Sequence, residues 1–315
     1  MKIIPRDTYL DKMIRVINTP DIKVITGVRR AGKSKLLELF KEYINNNVDN
    51  ANIIHINYNK KEFDNLLTGD ELYNYITNNY IKNKENFVLI DEIQKCKGFE
   101  DAINSVHAEE KYNIYITGSN AFLLSSDLAT LFTGRTFKID VYPFSFKEYN
   151  SYFNYDNPYL SINSYIKDGG MAGSYLYDNK EDKNAYLKDI YKTLILRDIV
   201  QKYNIKNEPL LNKLSDYLLD NISNITSSTK IENYLKNDLE TGDHKTISNY
   251  LDYLCNAFAF YRVRRYDIKG KAYIETPKKY YFSDLGLRNA RINFRQFEPT
   301  HSMENVIYNE LRMRG

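Results

Sequence analysis

Four residues in the stretch "VITGVRRAGKSKLLELF" (24–40) have the types and spacing to hold a phosphate group: Gly27, Gly32, Lys33 and Ser34. They complete the pattern G-x-x-x-x-G-K-[ST]. There the glycines let the main chain curl so that several N–H groups point inward, and the start of a helix adds positive field. Lys33 would reach the β- and γ-phosphates of a nucleoside triphosphate, and the Ser34 hydroxyl would ligate Mg2+. Arg29 and Arg30 stand on the variable bulge of this loop and need touch no phosphate.

A second stretch, "FVLIDEIQ" (87–94), ends an apolar run in Asp91 followed by Glu92. A carboxylate at the end of a buried strand can hold Mg2+ or its water shell, and a neighbouring glutamate can polarise an attacking water. The other reading of Asp91 is a cap for a helix beginning at Ile93. Further on, "NIYITGSN" (113–120) places Ser119 where a polar side chain could orient water against the γ-phosphate, although turns after any strand are rich in such residues. Arg135, in "LFTGRTFKIDV", is placed either to reach a neighbouring subunit's nucleotide as an arginine finger or to make a surface ion pair.

These residues need elements to position them. Between 21 and 141, β-rich runs alternate with helical spacing: 21–26, 52–58, 87–91, 113–117 and 136–141. Such alternation predicts an α/β fold with a parallel sheet covered by helices on both faces. Leu36, Leu39, Phe40, Tyr43 and Ile44 follow the spacing of a helix with one buried face, so the glycine loop lies between a strand and a helix. From 146 to 205 helical spacing takes over, interrupted by the breaker "KDGGMAGS". Residues 206–295 read as three helices (209–220, 229–238, 246–258) and two β-like runs, the order of a winged helix.

In that last region seven basic residues (Arg262, Arg264, Arg265, Lys269, Lys271, Lys278, Lys279) stand against Asp267 and Glu275, a local charge of +5 against +3 for the whole chain. Tyr261, Tyr266 and Tyr273 are interleaved. In the preceding helix Ile247, Tyr250, Leu251 and Leu254 make the buried face and leave Lys245, Ser248, Asn249 and Asp252 outward. Residues 245–280 thus suit double-stranded DNA, through phosphates and a groove; a solvated or protein-contacting face is the competing reading.

The order "GVRRAGKS", "LIDEIQ", "ITGSN", "TGRTFKIDVYPFSFKEY", "DGGMAGSYL" and "LILRDI" resembles the bacterial and archaeal AAA+-type ATP-binding proteins whose C-terminal part is a module of unknown function. The resemblance covers nearly the whole chain. It implies a P-loop ATPase core (1–145), a helical lid (146–205), a winged helix (206–295) and the start of a further segment (296–315). ATP and Mg2+ are the implied cofactors, with hydrolysis slow or partner-stimulated and a homo-oligomer or protein partner. It also suggests Arg135 and Arg197 as nucleotide-sensing arginines, against a helix-surface ion pair for Arg197. A non-enzymatic ATP-dependent switch is the alternative.

In this family the helix resembling "MENVIYNELRMRG" leads into a restriction-endonuclease-like domain, whereas this sequence ends at Gly315, so no nuclease activity is expected. Met303, Val306, Ile307 and Leu311 would be that helix's apolar face.

Composition is that of a globular protein, 43% hydrophobic and 27% charged. Two distant cysteines, Cys96 and Cys255, suggest neither a disulfide framework nor a zinc site. No run reaches 18 apolar residues, and a soluble, cytoplasmic protein without membrane contact is expected.

Overall fold

A computed structural model describes residues 4–118, 132, 134–235, 244–264, 277–295 and 298–315, the side chains of 196 and 197 excepted. The described chain divides into two compact units, one of residues 1–27 and 32–141, the other of 28–31 and 142–315.

The first unit is a five-stranded parallel sheet in the order β2-β3-β4-β1-β5. Its strands are β1 (Ile22–Thr26), β2 (Ala51–Asn57), β3 (Glu85–Asp91), β4 (Tyr112–Thr117) and β5 (Thr136–Asp140). The α/β reading therefore holds. β1 is buried at every position and β3 at all but its first, because parallel strands covered on both faces have no solvent side.

One face carries α3 (Gly69–Asn78), held by a Thr68–Glu71 capping box, and α4 (Phe99–Ala108). Leu72 and Ile76 of α3 and Ile103 and Val106 of α4 join Val24, Ile54, Ile56, Val88, Ile90 and Ile116 in one core. α1 (Asp7–Arg15) and α2 (Lys33–Asn47) complete the unit. In α2 the fully buried side chains are Leu36, Leu37, Phe40 and Ile44; Leu39 and Tyr43, expected on the buried face, are only half-buried. The buried stripe is thus rotated towards Leu37.

Phe40 packs on Tyr115 with ring centroids 4.5 Å apart. Tyr115 donates its hydroxyl to Met13 O, and the wholly buried Lys23 lies over the Tyr115 ring while its ammonium donates to Thr19 O at 2.7 Å. Burial pushes the Lys23 pKa down to about 8, against a smaller opposing pull from Asp21.

The second unit begins with α5 (Phe146–Phe153), α6 (Pro158–Asp168) and α7 (Lys180–Ile195), the last running on through a π-helical turn over Leu196–Gln201. There follow α8 (Glu208–Asp220), β6 (Ile225–Thr226), α9 (Ser228–Leu235), α10 (His244–Asn256), β7 (Phe260–Val263), β8 (Lys278–Phe282), α11 (Leu285–Arg291) and α12 (Pro299–Arg314). β6, β8 and β7 form an antiparallel sheet in that order.

The "DGG" breaker is a packing joint. Gly169 has φ +70°, and a Cβ there would collide with Gly286 N and the Asp284 carboxylate. Asp284, buried, caps α11 through Leu287 N and accepts from Gly170 N.

α12 departs from the apolar face expected of it. Its buried residues are Ser302, Asn305, Val306, Asn309 and Met313, while Ile307 and Leu311 are 51% and 59% exposed. The reason lies in the sheet. Ser283 N donates to Ala259 O beside β7, so the neighbouring Phe282 main chain faces the other way, where β6 has already ended. Asn305 replaces the missing strand: its Oδ1 accepts from Phe282 N at 2.8 Å and its Nδ2 donates to Phe282 O at 2.9 Å.

Asn305→Leu, which would restore the apolar pattern, should therefore destabilise the protein by about 1–3 kcal/mol in a denaturant titration, because the buried Phe282 N–H loses its acceptor while Phe282 O keeps the amide of Asn309. For Lys23 the unfolded chain holds a proton that the folded chain gives up between pH 8 and 10.5, so stability should rise with pH in that window. A gain of about 1–2 kcal/mol is expected between pH 8 and 9.5, and Lys23→Met should flatten it.

Candidate nucleotide site

The parallel register brings the C-terminal ends of the strands to one edge of the sheet, the edge where open α/β sheets bind ligands. Ile25 is opposite Thr117, and Ile90 opposite Ile116, which sets Asp91 beside Thr117. The loop from Gly27 leaves β1 at this edge.

Gly27 has φ +143°, and a Cβ there would collide with Val141 O, so no side chain fits between the loop and the chain leaving β5. Gly32, at φ +97°, caps α2. Arg30 adopts the left-handed region at φ +66°, a conformation a non-glycine residue holds at some cost. The buried Lys33 ammonium donates to Gly27 O at 2.7 Å, across the base of the loop, and Ser34 stands in the first turn of α2.

Asp91 is 1% exposed at the end of β3. Its Oδ1 accepts from Thr117 Oγ1 at 2.9 Å, while Oδ2 is buried and has no hydrogen-bond partner among the described residues. Burial pushes its pKa up, the Ser34 and Thr117 hydroxyls pull it down, and Glu92 and Lys33 act in opposite directions with smaller effect. The capping reading of Asp91 is set aside: the turn at Ile93–Lys95 has no side-chain cap bond, and Oδ1 is turned to Thr117. An orphaned buried carboxylate oxygen together with a serine hydroxyl is the hard oxygen donor set that suits Mg2+, so these residues fit that ion.

Glu92 sits in the left-handed region, φ +59° and ψ +43°, and its Oε2 accepts from Gln94 Nε2 at 2.5 Å. A strained non-glycine residue beside a buried acid is the kind of outlier found at functional sites.

The structure thus brings Gly27, Gly32, Lys33, Ser34, Asp91 and Glu92 to one strand edge. Arg135 is elsewhere. Its carbonyl accepts from Ile22 N, at the entry of β1 and not its exit, and its side chain is exposed. Five strand residues, roughly 17 Å, separate it from the loop of its own chain. Ser119 and the Arg197 side chain lie outside the described residues. Thr117 was not singled out from sequence; the signal was a polar residue ending the apolar run of β4, legible only once β3 and β4 are paired in register.

In the second unit the expected buried face of α10 is found: Ile247, Tyr250, Leu251 and Leu254 are buried. Lys245 and Asn249 are exposed and Ser248 half-buried. Asp252 pairs with Arg262 at 2.7 Å, and Tyr253 stacks on Tyr203 with centroids 3.7 Å apart. Lys279 pairs with Glu304 at 2.7 Å. Burial, with Arg262 and Arg264 beside it, lowers the Lys278 pKa. Arg265, Lys269 and Lys271 lie outside the described residues.

Among the described residues no helix is long and apolar enough to cross a membrane, and no group of three or more His, Cys, Asp or Glu side chains could hold a metal ion.

Residues 19–150 match the family described as an AAA domain, and residues 160–298 match a domain of unknown function (DUF8612). An uncharacterized protein of Haemophilus influenzae is 35% identical over 99% of this chain and 80% of its own length. One from Methanocaldococcus jannaschii is 30% identical over 100% of this chain and 72% of its own. Among solved structures, a Walker-type ATPase of Pyrococcus abyssi superposes with a TM-score of 0.58 at 17% identity, covering 92% of this chain and 96% of that one, a likeness of fold.

Proposed function

The chain belongs to the AAA-domain family with a DUF8612 module behind that domain, and on that premise we propose that it is a Mg2+-dependent ATPase whose nucleotide state is coupled to a winged-helix module. The single observation that carries the reading is the buried, half-satisfied carboxylate of Asp91 at the strand edge that also holds Lys33 and Ser34.

In this reading the main-chain amides of the loop from Gly27 to Ser34 receive the phosphates, and Lys33 exchanges its bond to Gly27 O for the β- and γ-phosphate oxygens. Ser34 and Asp91 hold Mg2+, which when bound neutralises charge on the phosphate oxygens. Glu92 orients the attacking water and accepts its proton, and Ser119 helps to place that water. Arg135, exposed and remote from its own loop, serves the nucleotide of a second copy of the chain.

The order α8–β6–α9–α10–β7–β8, with β8 in the middle of its sheet, supports the winged-helix reading of the second unit. Duplex DNA is the partner we assign to its α10 face and basic hairpin, through Lys245, Asn249, Arg264 and Lys278.

Phosphate release should fall by 10²-fold or more in Glu92→Gln, on the order expected for loss of a general base, while ATP still binds. Arg135→Ala should lower it at concentrations where the wild type self-associates. Equal release by the wild type and Glu92→Gln would instead mark a nucleotide switch without turnover, and equal rates for Arg135→Ala at every concentration would remove the second copy from the mechanism. Affinity for a duplex, followed by fluorescence anisotropy, should drop steeply between 50 and 200 mM salt, roughly as counterion release requires; salt-independent binding would contradict contact with phosphates.

A further inference from the structure

We infer that Gln94 is a positioning residue for ATP hydrolysis: its side-chain amide holds one oxygen of the Glu92 carboxylate so that the other, Oε1, is presented to the attacking water. The inference rests on the reading of Glu92 as the base and goes beyond it by naming the group that aims that base.

The geometry has three parts. Only the NH2 end of an amide can face a carboxylate, so Gln94 Nε2 is the donor and Glu92 Oε2 the acceptor, at 2.5 Å. The donor stands on a braced turn: Lys95 N bonds to Glu92 O, Cys96 N to Ile93 O, and Ile93 is wholly buried. Lys95 fastens the far side, its ammonium donating to Tyr58 O and to Asn59 Oδ1 at 2.8 Å each. Finally, Glu92 stands in the left-handed region, so its side chain leaves the main chain in a direction that no extension of β3 would give.

A glutamate on such a backbone keeps three side-chain torsions, and a base that must be aimed anew in each turnover forfeits the advantage of a preset orientation. The charge-assisted bond from Gln94 removes that freedom. In the step itself the water oxygen bonds to the γ-phosphorus while the bond to the β,γ-bridging oxygen breaks. The electron pair leaves on ADP, and the water proton passes to Glu92 Oε1 and then to the released phosphate.

The test is a double-mutant cycle on the full chain with Mg2+ and ATP. Phosphate release is followed from labelled ATP in single turnover, so that slow variants are still measured, and ATP affinity is taken separately by calorimetry. Gln94→Ala should lower the rate of the chemical step by about tenfold and leave ATP affinity within about twofold. In the Glu92→Gln background the same substitution should change the rate by less than twofold, because there is no longer a carboxylate to aim. Gln94→Glu keeps the size but replaces the donor with a second carboxylate, and should be at least as slow as Gln94→Ala. It carries the test if the alanine variant fails to fold.

An unchanged rate in Gln94→Ala, or a tenfold loss that persists in the Glu92→Gln background, overturns the inference. Turnover by Glu92→Gln at the wild-type rate would instead overturn the reading of Glu92 on which it stands.

Discussion

A carboxylate withdrawn from water with one oxygen bonded and the other unmatched is a costly arrangement, and the C-terminal edge of the parallel sheet is organised around it. Asp91 is held there by the sheet: β3 is buried on both faces, and register sets Asp91 beside Thr117, whose hydroxyl takes Oδ1. Among the described residues nothing takes Oδ2. Burial raises the pKa of the group, while neighbouring hydroxyls and Lys33 act to keep it ionised. In the proposed reading a divalent cation would resolve that tension, with Lys33 and Ser34 at the start of α2 close by.

The second unit answers a different need, the main-chain groups left over where helices and strands end. Asn305 stands in for a strand beside Phe282. Asn289 donates to the carbonyls of Ile166 and Lys167 at the end of α6, and the buried Arg288 donates to Leu219 O near the end of α8. Asp284 caps α11 and holds the glycine joint after α6. A short helix, α11, therefore fastens the ends of two longer ones. Its polar side chains are buried because each has a main-chain partner, the condition under which burial is tolerable. That also explains why a motif rich in glycine and acid, "KDGGMAGS", proved to be a joint.

Much of this was legible in the residue order. Alternating β-rich runs foretold the five parallel strands to within a residue or two, most clearly the central ones, which are covered on both faces and therefore largely apolar. That Gly27, Gly32, Lys33, Ser34, Asp91 and Glu92 would meet at one strand edge could be expected from type and spacing, because the glycine loop and the acids ending an apolar run are each local patterns that need only a strand before and a turn after. The face of α10 was legible for the same reason: helical period alone decides it.

What failed to show in the sequence depended on partners far along the chain. Thr117 matters because β4 lies next to β3, which pairs two residues 26 positions apart. Periodicity assigned α12 an apolar face through Ile307 and Leu311, yet the helix buries asparagines, because the surface it meets is an unfinished sheet edge that offers hydrogen bonds. Likewise the local sequence leaves Arg135 between an arginine finger and a surface ion pair, and only the parallel sheet places it at the end opposite its own loop. The sequence by itself determined which groups could meet a phosphate and which segments would be strand or helix, since those follow from chemistry and period within a few residues. Tertiary structure alone decided which polar groups are buried and what they bond to, since that is set by the neighbours the fold supplies.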